Sequence, residues 1–214
     1  MTILRGLLAV TAGLFTLLVS VPALAQDDAA IQALEWRAIG PFNGGRGSSV
    51  VGHPTDPMVF WFGHSSGGLW KTEDAGAYWT PVGEGQFNYA SVGAIALHEK
   101  NPDILYVGLG EPNMRQSVSW GDGMYKSTDG GETWSHNGLE TLKQIARIRI
   151  HPDNPDIVYV ATPGHAFGPS EDRGVFKTTD GGETWNKVLY KNEGTGAIAL
   201  HEKNPDIMYV GLGE

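Results

Sequence analysis

The 214 residues carry 24 acidic against 15 basic side chains, a net charge of −9, and no cysteine. An acidic chain without Lys/Arg clusters is poorly suited to nucleic acid or anionic membranes, and one without thiols has neither disulfides nor thiolate chemistry. Thirty glycines, 12 prolines and an apolar content of 41% that includes 7 tryptophans point to many turns between short strands, hence an all-β protein.

Residues 1–25 read as a secretory signal: Arg5, an apolar stretch from Leu7 to Val21, then Ala23-Leu24-Ala25 as the small-x-small cleavage pattern. The stretch is short for a membrane span, which takes ~20 residues, and no second apolar segment follows it. Export to the periplasm or the cell exterior is expected, with Gln26 as the mature start and no membrane span after cleavage. Removing Arg5 leaves 14 basic against 24 acidic side chains, a net charge near −10. A linker, residues 26–34, leads into a repeat region, residues 35–214, whose first strand is "EWRAIG" at 35–40.

Two motifs alternate along that region. "HPTDP" at 53–57, "HEKNPD" at 98–103, "HPDNPD" at 151–156 and "HEKNPD" at 201–206 open on histidines spaced 45, 53 and 50 residues apart. Between them lie "TEDAGAYW" at 72–79, "STDGGETW" at 127–134 and "TTDGGETW" at 178–185, whose aspartates are 55 and 51 residues apart. A period of about fifty residues means one structural unit used more than three times. In the third unit the expected strands are "ARIRIH", "IVYVATPG", "GVFKTT" and "TWNKVLY". Period-two alternation, β-branched and aromatic enrichment, and Asn/Pro/Asp/Gly turns between the runs favour antiparallel hairpins. A four-stranded sheet at this period is the mark of a β-propeller blade.

One pair of segments is far more alike than packing demands. Residues 93–111 and 196–214 differ only at Leu105, which becomes Met208. A recent duplication, a recombination between blades or a sequence-assembly error would each produce this. The second copy ends inside a blade, so about three and a half blades are expected, an incomplete ring that reads as a fragment of a longer protein. Open blade edges of that kind are prone to self-association.

"STDGGETW" and "TTDGGETW" resemble the Asp-box, or bacterial neuraminidase repeat, and "TEDAGAYW" is a degenerate copy with Ala75 and Tyr78 in place of Gly and Thr. With "WRAIGP", "GGLWKT" and "YVGLGE", the chain resembles exported bacterial propellers grouped with the sortilin N-terminal domain and described as glycosyl hydrolase-like. The resemblance implies a partial β-propeller in which Asp74, Trp79, Ser127, Asp129, Gly131, Trp134, Thr178, Asp180, Gly182 and Trp185 serve hairpin structure. In that family the Asp-box turn joins third and fourth strands on the face away from the ligand. Neither a cofactor nor a metal is expected. Histidines 53, 98, 151 and 201 each open an equivalent turn in a different blade, whereas ligands must converge within ~2 Å of one ion.

Ligand contacts are then expected on the opposite loops: residues 40–48, 83–91, 111–123 and 163–174. Arg46, Glu111, Arg115, Trp120, Asp122, His165, Glu171 and Arg173 are the candidates, a mix of acids, arginines and an aromatic that suits a sugar or a peptide. Trp120 and Arg173 have an equally good reading as packing between blades. Arg147 and Arg149 stand where other units carry Ala94 and Ala96, or Ala197 and Ala199. Sharing one face of a strand, they either bridge acidic side chains of an adjacent blade, the favoured reading, or line the central channel and bind an anion.

Two functions follow. The main reading is a non-catalytic scaffold for a protein or glycan ligand. The alternative is a glycoside hydrolase of sialidase or xyloglucanase type, which needs two carboxyls ~5 Å or ~6.5–9.5 Å apart. Arg37 and Arg46 lie near where the resemblance would place a sialidase arginine, but no third arginine or tyrosine can be assigned, so no catalytic residue is carried over.

Overall fold

A computed structural model describes residues 46–165, 167–190, 194–201 and 203–213. The signal segment, the linker and the strand expected at 35–40 lie outside the described residues.

The first sheet comprises β1 (Gly47–Gly52), β2 (Phe60–His64), β3 (Gly68–Thr72) and β4 (Thr80–Val82), paired in that order. The second comprises β5 (Val92–Leu97), β6 (Leu105–Leu109), β7 (Met124–Ser127) and β8 (Ser135–His136), and the third β9 (Arg147–Ile150), β10 (Val158–Thr162), β11 (Gly174–Thr178) and β12 (Asn186–Tyr190). A hairpin of β13 (Gly194–His201) and β14 (Asn204–Gly213) follows. Every pairing is antiparallel between consecutive strands. These are three four-stranded β-propeller blades and half of a fourth.

Blades are held face to face by apolar layers rather than by the sheets' own hydrogen bonds. Trp61 and Leu69 of the first blade meet Val92, Leu105, Val107 and Trp134 of the second. Tyr106 and Met124 of the second meet Ile148, Val158 and Val160 of the third. Ile198 of the hairpin joins Tyr159, Ala161 and Val175. First strands β1, β5, β9 and β13 are successive neighbours around one cavity.

The Asp-box turns are small hydrogen-bonded cages. Asp129 Oδ1 accepts from Ser127 Oγ at 2.7 Å and from the Thr133 amide at 2.9 Å, and its Oδ2 accepts from the Thr133 hydroxyl. These donors, the Thr133 hydroxyl foremost, hold the Asp129 carboxyl down at about 2. Asp180 repeats the arrangement with Thr178 Oγ1 (2.6 Å) and Thr184, and its carboxyl is likewise lowered, Thr178 contributing most. Asp74 keeps the bond to the Tyr78 amide at 2.9 Å although Ala75 must take φ +59° where the other boxes place glycine. Gly131 has a second reason to be glycine besides its φ of +89°: a Cβ there would come within 3.0 Å of Trp61 Nε1 and 3.3 Å of the Trp134 ring. Trp134 is buried and bonds its own turn at Gly131 O (3.0 Å), whereas Trp185 reaches back to Asn137 O (2.9 Å) and Trp79 is partly exposed.

Each box is tied to the turn between the first and second strands of its blade. Gly130 N donates to Asp103 O and Gly181 N to Asp156 O, both at 3.0 Å. The histidines serve those same turns. His98 Nδ1 accepts from the Asn101 amide at 3.1 Å, and His53, His151 and His201 do the same for amides two or three residues on. Both turn types share one end of the blades, which leaves the connections between second and third strands, and between blades, at the other.

Candidate functional site

At that other end the loops are stitched together by backbone bonds. Gly110 N donates to Ser91 O (2.7 Å), Gly121 N to Lys143 O (3.0 Å) and Gly68 N to Ala90 O (2.8 Å). Gly110, at φ +92°, leaves no room for a side chain, since a Cβ would fall 1.8 Å from Lys143 O. The long loop after β6 is therefore anchored at both of its ends.

Its first residue, Glu111, is fully buried and clamped by two cations. Arg46 Nη2 meets Glu111 Oε1 at 2.6 Å and Arg115 Nε meets the same oxygen at 3.2 Å, while the Ser119 amide approaches Oε2 at 3.5 Å. A buried carboxylate survives only when so paired. Three candidates expected to face a ligand, Arg46, Glu111 and Arg115, thus form one ion cluster joining the first blade to the second. Glu111 spends its charge on holding the loop.

Asp122 sits differently. Its Oδ2 accepts from Asn88 Nδ2 at 2.7 Å and from the Tyr125 hydroxyl at 3.1 Å. Burial, and secondarily the Asp122 charge, raises the Tyr125 phenol, so Tyr125 stays protonated and donates. The other oxygen, Oδ1, is the one buried carboxylate oxygen among the described residues with no hydrogen-bond partner. His136 Nε2 lies 2.8 Å from the Asp122 backbone oxygen. Trp120, two residues before, has an exposed ring, as does Tyr89 beside Asn88. This is the part of the face with polar capacity to spare.

The third-blade loop is self-contained. Arg173 donates to Pro163 O (3.0 Å), His165 O (3.2 Å) and Gly168 O (2.8 Å), so it ties its own loop together. The exposed His165 lies 3.9 Å from Asp172, and Glu171 offers its backbone oxygen to Lys187 Nζ. Sequence reasoning missed Asn88, Tyr125 and His136. Tyr125 was legible only as one residue of a strand, and nothing local signals that its hydroxyl meets an aspartate.

Arg147 and Arg149 line the axial cavity, and among the described residues neither forms an ion pair. The cavity walls facing β9 come from the first strands of other blades and the turns after them, built mostly from Ala, Gly, Ser and aliphatic residues, with His98, Glu99, Lys100 and His201 at the turns.

No family model matches the chain. A xyloglucanase of Hypocrea jecorina (strain QM6a) is 28% identical over 171 residues, 73% of this chain and 19% of that protein. A Paenibacillus xyloglucanase is 28% identical over 145 residues, 60% of this chain and 13% of that protein. In three dimensions an ancestral GH74 enzyme matches with a TM-score of 0.63 at 22% identity, covering 84% of this chain and 23% of that one. The fold is that of a β-propeller, as in that GH74 enzyme. The chain spans less than a quarter of the length of each of these three proteins.

Proposed function

We propose that this chain is a carbohydrate-recognising part of an exported glycoside hydrolase-like propeller that acts on a neutral β-glucan such as xyloglucan. The loop face of its first two blades is the sugar-binding surface. The observation that carries the reading is Asp122, whose buried Oδ1 has no hydrogen-bond partner, two residues from the exposed ring of Trp120. Aromatic faces stack on sugar rings while a carboxylate accepts hydroxyl bonds, and neither interaction requires charge on the ligand. The xyloglucanase relatives support a hydrolase over the sortilin-like scaffold. Glycosidic cleavage needs two carboxyls. With Glu111 clamped between Arg46 and Arg115, Asp122 is the candidate for one of them.

The test is binding of xyloglucan oligosaccharides by calorimetry together with reducing-sugar release from the polymer. Trp120→Ala is expected to weaken binding at least tenfold, about 1.4 kcal/mol. Asp122→Asn is expected to abolish any release while binding persists. Binding that ignores Trp120, or a protein ligand captured in place of the glycan, would return the scaffold reading.

A further inference from the structure

The four first strands line an open cavity of about 1320 Å³, and its wall is apolar or small except at β9 and at the turn residues His98, Glu99, Lys100 and His201. There Arg147 and Arg149 project from the same face of the strand, with the fully buried Ile148 between them facing the other way. Two guanidinium groups this close repel, and Arg149 is half-buried, so the protein bears a desolvation cost and a like-charge cost together. Both depress the Arg149 guanidinium, burial first and the Arg147 charge second. Arg149 Nη1 donates to Ile148 O at 3.1 Å, which leaves most of its donors for something else. Nearby lysine charge is already used, since Lys100 pairs with Asp153 across the turns.

One carboxylate, Glu99, lines the same cavity, but among the described residues it forms no ion pair with either arginine. The equivalent strand positions in the second blade and the hairpin carry alanine: Ala94, Ala96, Ala197 and Ala199. Blade packing therefore does not require arginine here. A second polar group with spare capacity lines the same cavity: His98, 4% exposed, has its Nε2 buried without a partner.

We propose that the axial cavity is a binding site for a small oxyanion, a phosphate or carboxylate group gripped by the paired guanidiniums of Arg147 and Arg149. Planar guanidinium forks match two oxygens of either group at once, which a lysine cannot do. The site is separate from the loop face and does not depend on a glycan ligand.

Inorganic phosphate and citrate, titrated by calorimetry at low ionic strength with parallel thermal melts, test the proposal. At least one is expected to bind and to raise Tm with concentration, and which of them does so distinguishes a phosphate from a carboxylate ligand. The Arg147→Ala/Arg149→Ala chain is expected to lose binding. Arg149→Lys, which keeps the charge but loses the planar fork, is expected to weaken it at least tenfold, and Lys143→Ala, which removes a charge elsewhere, to leave it intact. Should the double variant fail to fold, Arg149→Lys against Lys143→Ala still decides. Absence of binding by both anions, or equal weakening by Arg149→Lys and Lys143→Ala, would overturn the assignment.

Discussion

The segments 93–111 and 196–214 share all but one residue, yet the first is buried along both strands while in the second, among the described residues, Ile198 alone is buried. Their hairpins pair in the same register. Ala94 faces Gly108, Ile95 Val107, Ala96 Tyr106 and Leu97 Leu105, while Ala197 faces Gly211, Ile198 Val210, Ala199 Tyr209 and Leu200 Met208. Both carry a register shift just before that run, and in both a histidine Nδ1 accepts amides of the turn. What differs is cover. Tyr106 is fully buried, with its hydroxyl 3.2 Å from Pro155 O and Gly181 O and Lys126 over its ring; its twin Tyr209 is 62% exposed. Among the described residues β6 has strands on both sides, whereas β14 pairs with β13 alone. Turn and register are local properties of a sequence, and burial is a property of its neighbours.

Paired substitutions sharpen this. Leu105→Ala deletes a fully buried side chain and is expected to cost about 3 kcal/mol, or roughly 6–12 °C in Tm. Met208→Ala, in a strand with one partner, is expected to cost under ~1 kcal/mol. Chemical and thermal denaturation of both variants measure the gap, and equal costs would break the comparison. Next comes Gly93→Ala. A Cβ there would lie 2.2 Å from Gly110 O and 2.3 Å from Ile145 O, backbone atoms that cannot step aside, so about 2–3 kcal/mol is expected. At the twin, Gly196, nothing lies within 4 Å of the added atom, and Gly196→Ala is expected to change stability by no more than ~0.5 kcal/mol.

The same division between local and distant explains what the sequence could show. Blade number, strand order, the two turn families and the face carrying the long loops all follow from period, alternation and turn chemistry. Period-two alternation also placed Arg147 and Arg149 on one strand face. Chain order could not show which candidate side chains were already engaged. Glu111 meets Arg46 across 65 positions and Asp122 meets Asn88 across 34, pairings that form only when one blade docks on the next. Arg173 closes its own loop through backbone oxygens, and no residue-type pattern marks backbone acceptors.

The smallest expected effect separates the twin turns themselves. Asp103 O accepts from Gly130 N of the Asp-box, so the first turn inherits the box's acid sensitivity, while no Asp-box is found beside the second among the described residues. Because the folded Asp129 carboxyl is lowered to about 2 from an ordinary 3.8, its contribution to stability is present in full above about pH 4. It is lost as pH falls toward 2. Protection factors for the Gly130 amide, which remove the intrinsic pH dependence of exchange, are expected to drop across that window and to be low already at neutral pH in Asp129→Asn. Amides at the Asn204–Asp206 turn are expected to show no such step. A matching step there would mean that acid loosens the hairpin register itself, and the likeness of the two copies would then extend beyond pairing to stability.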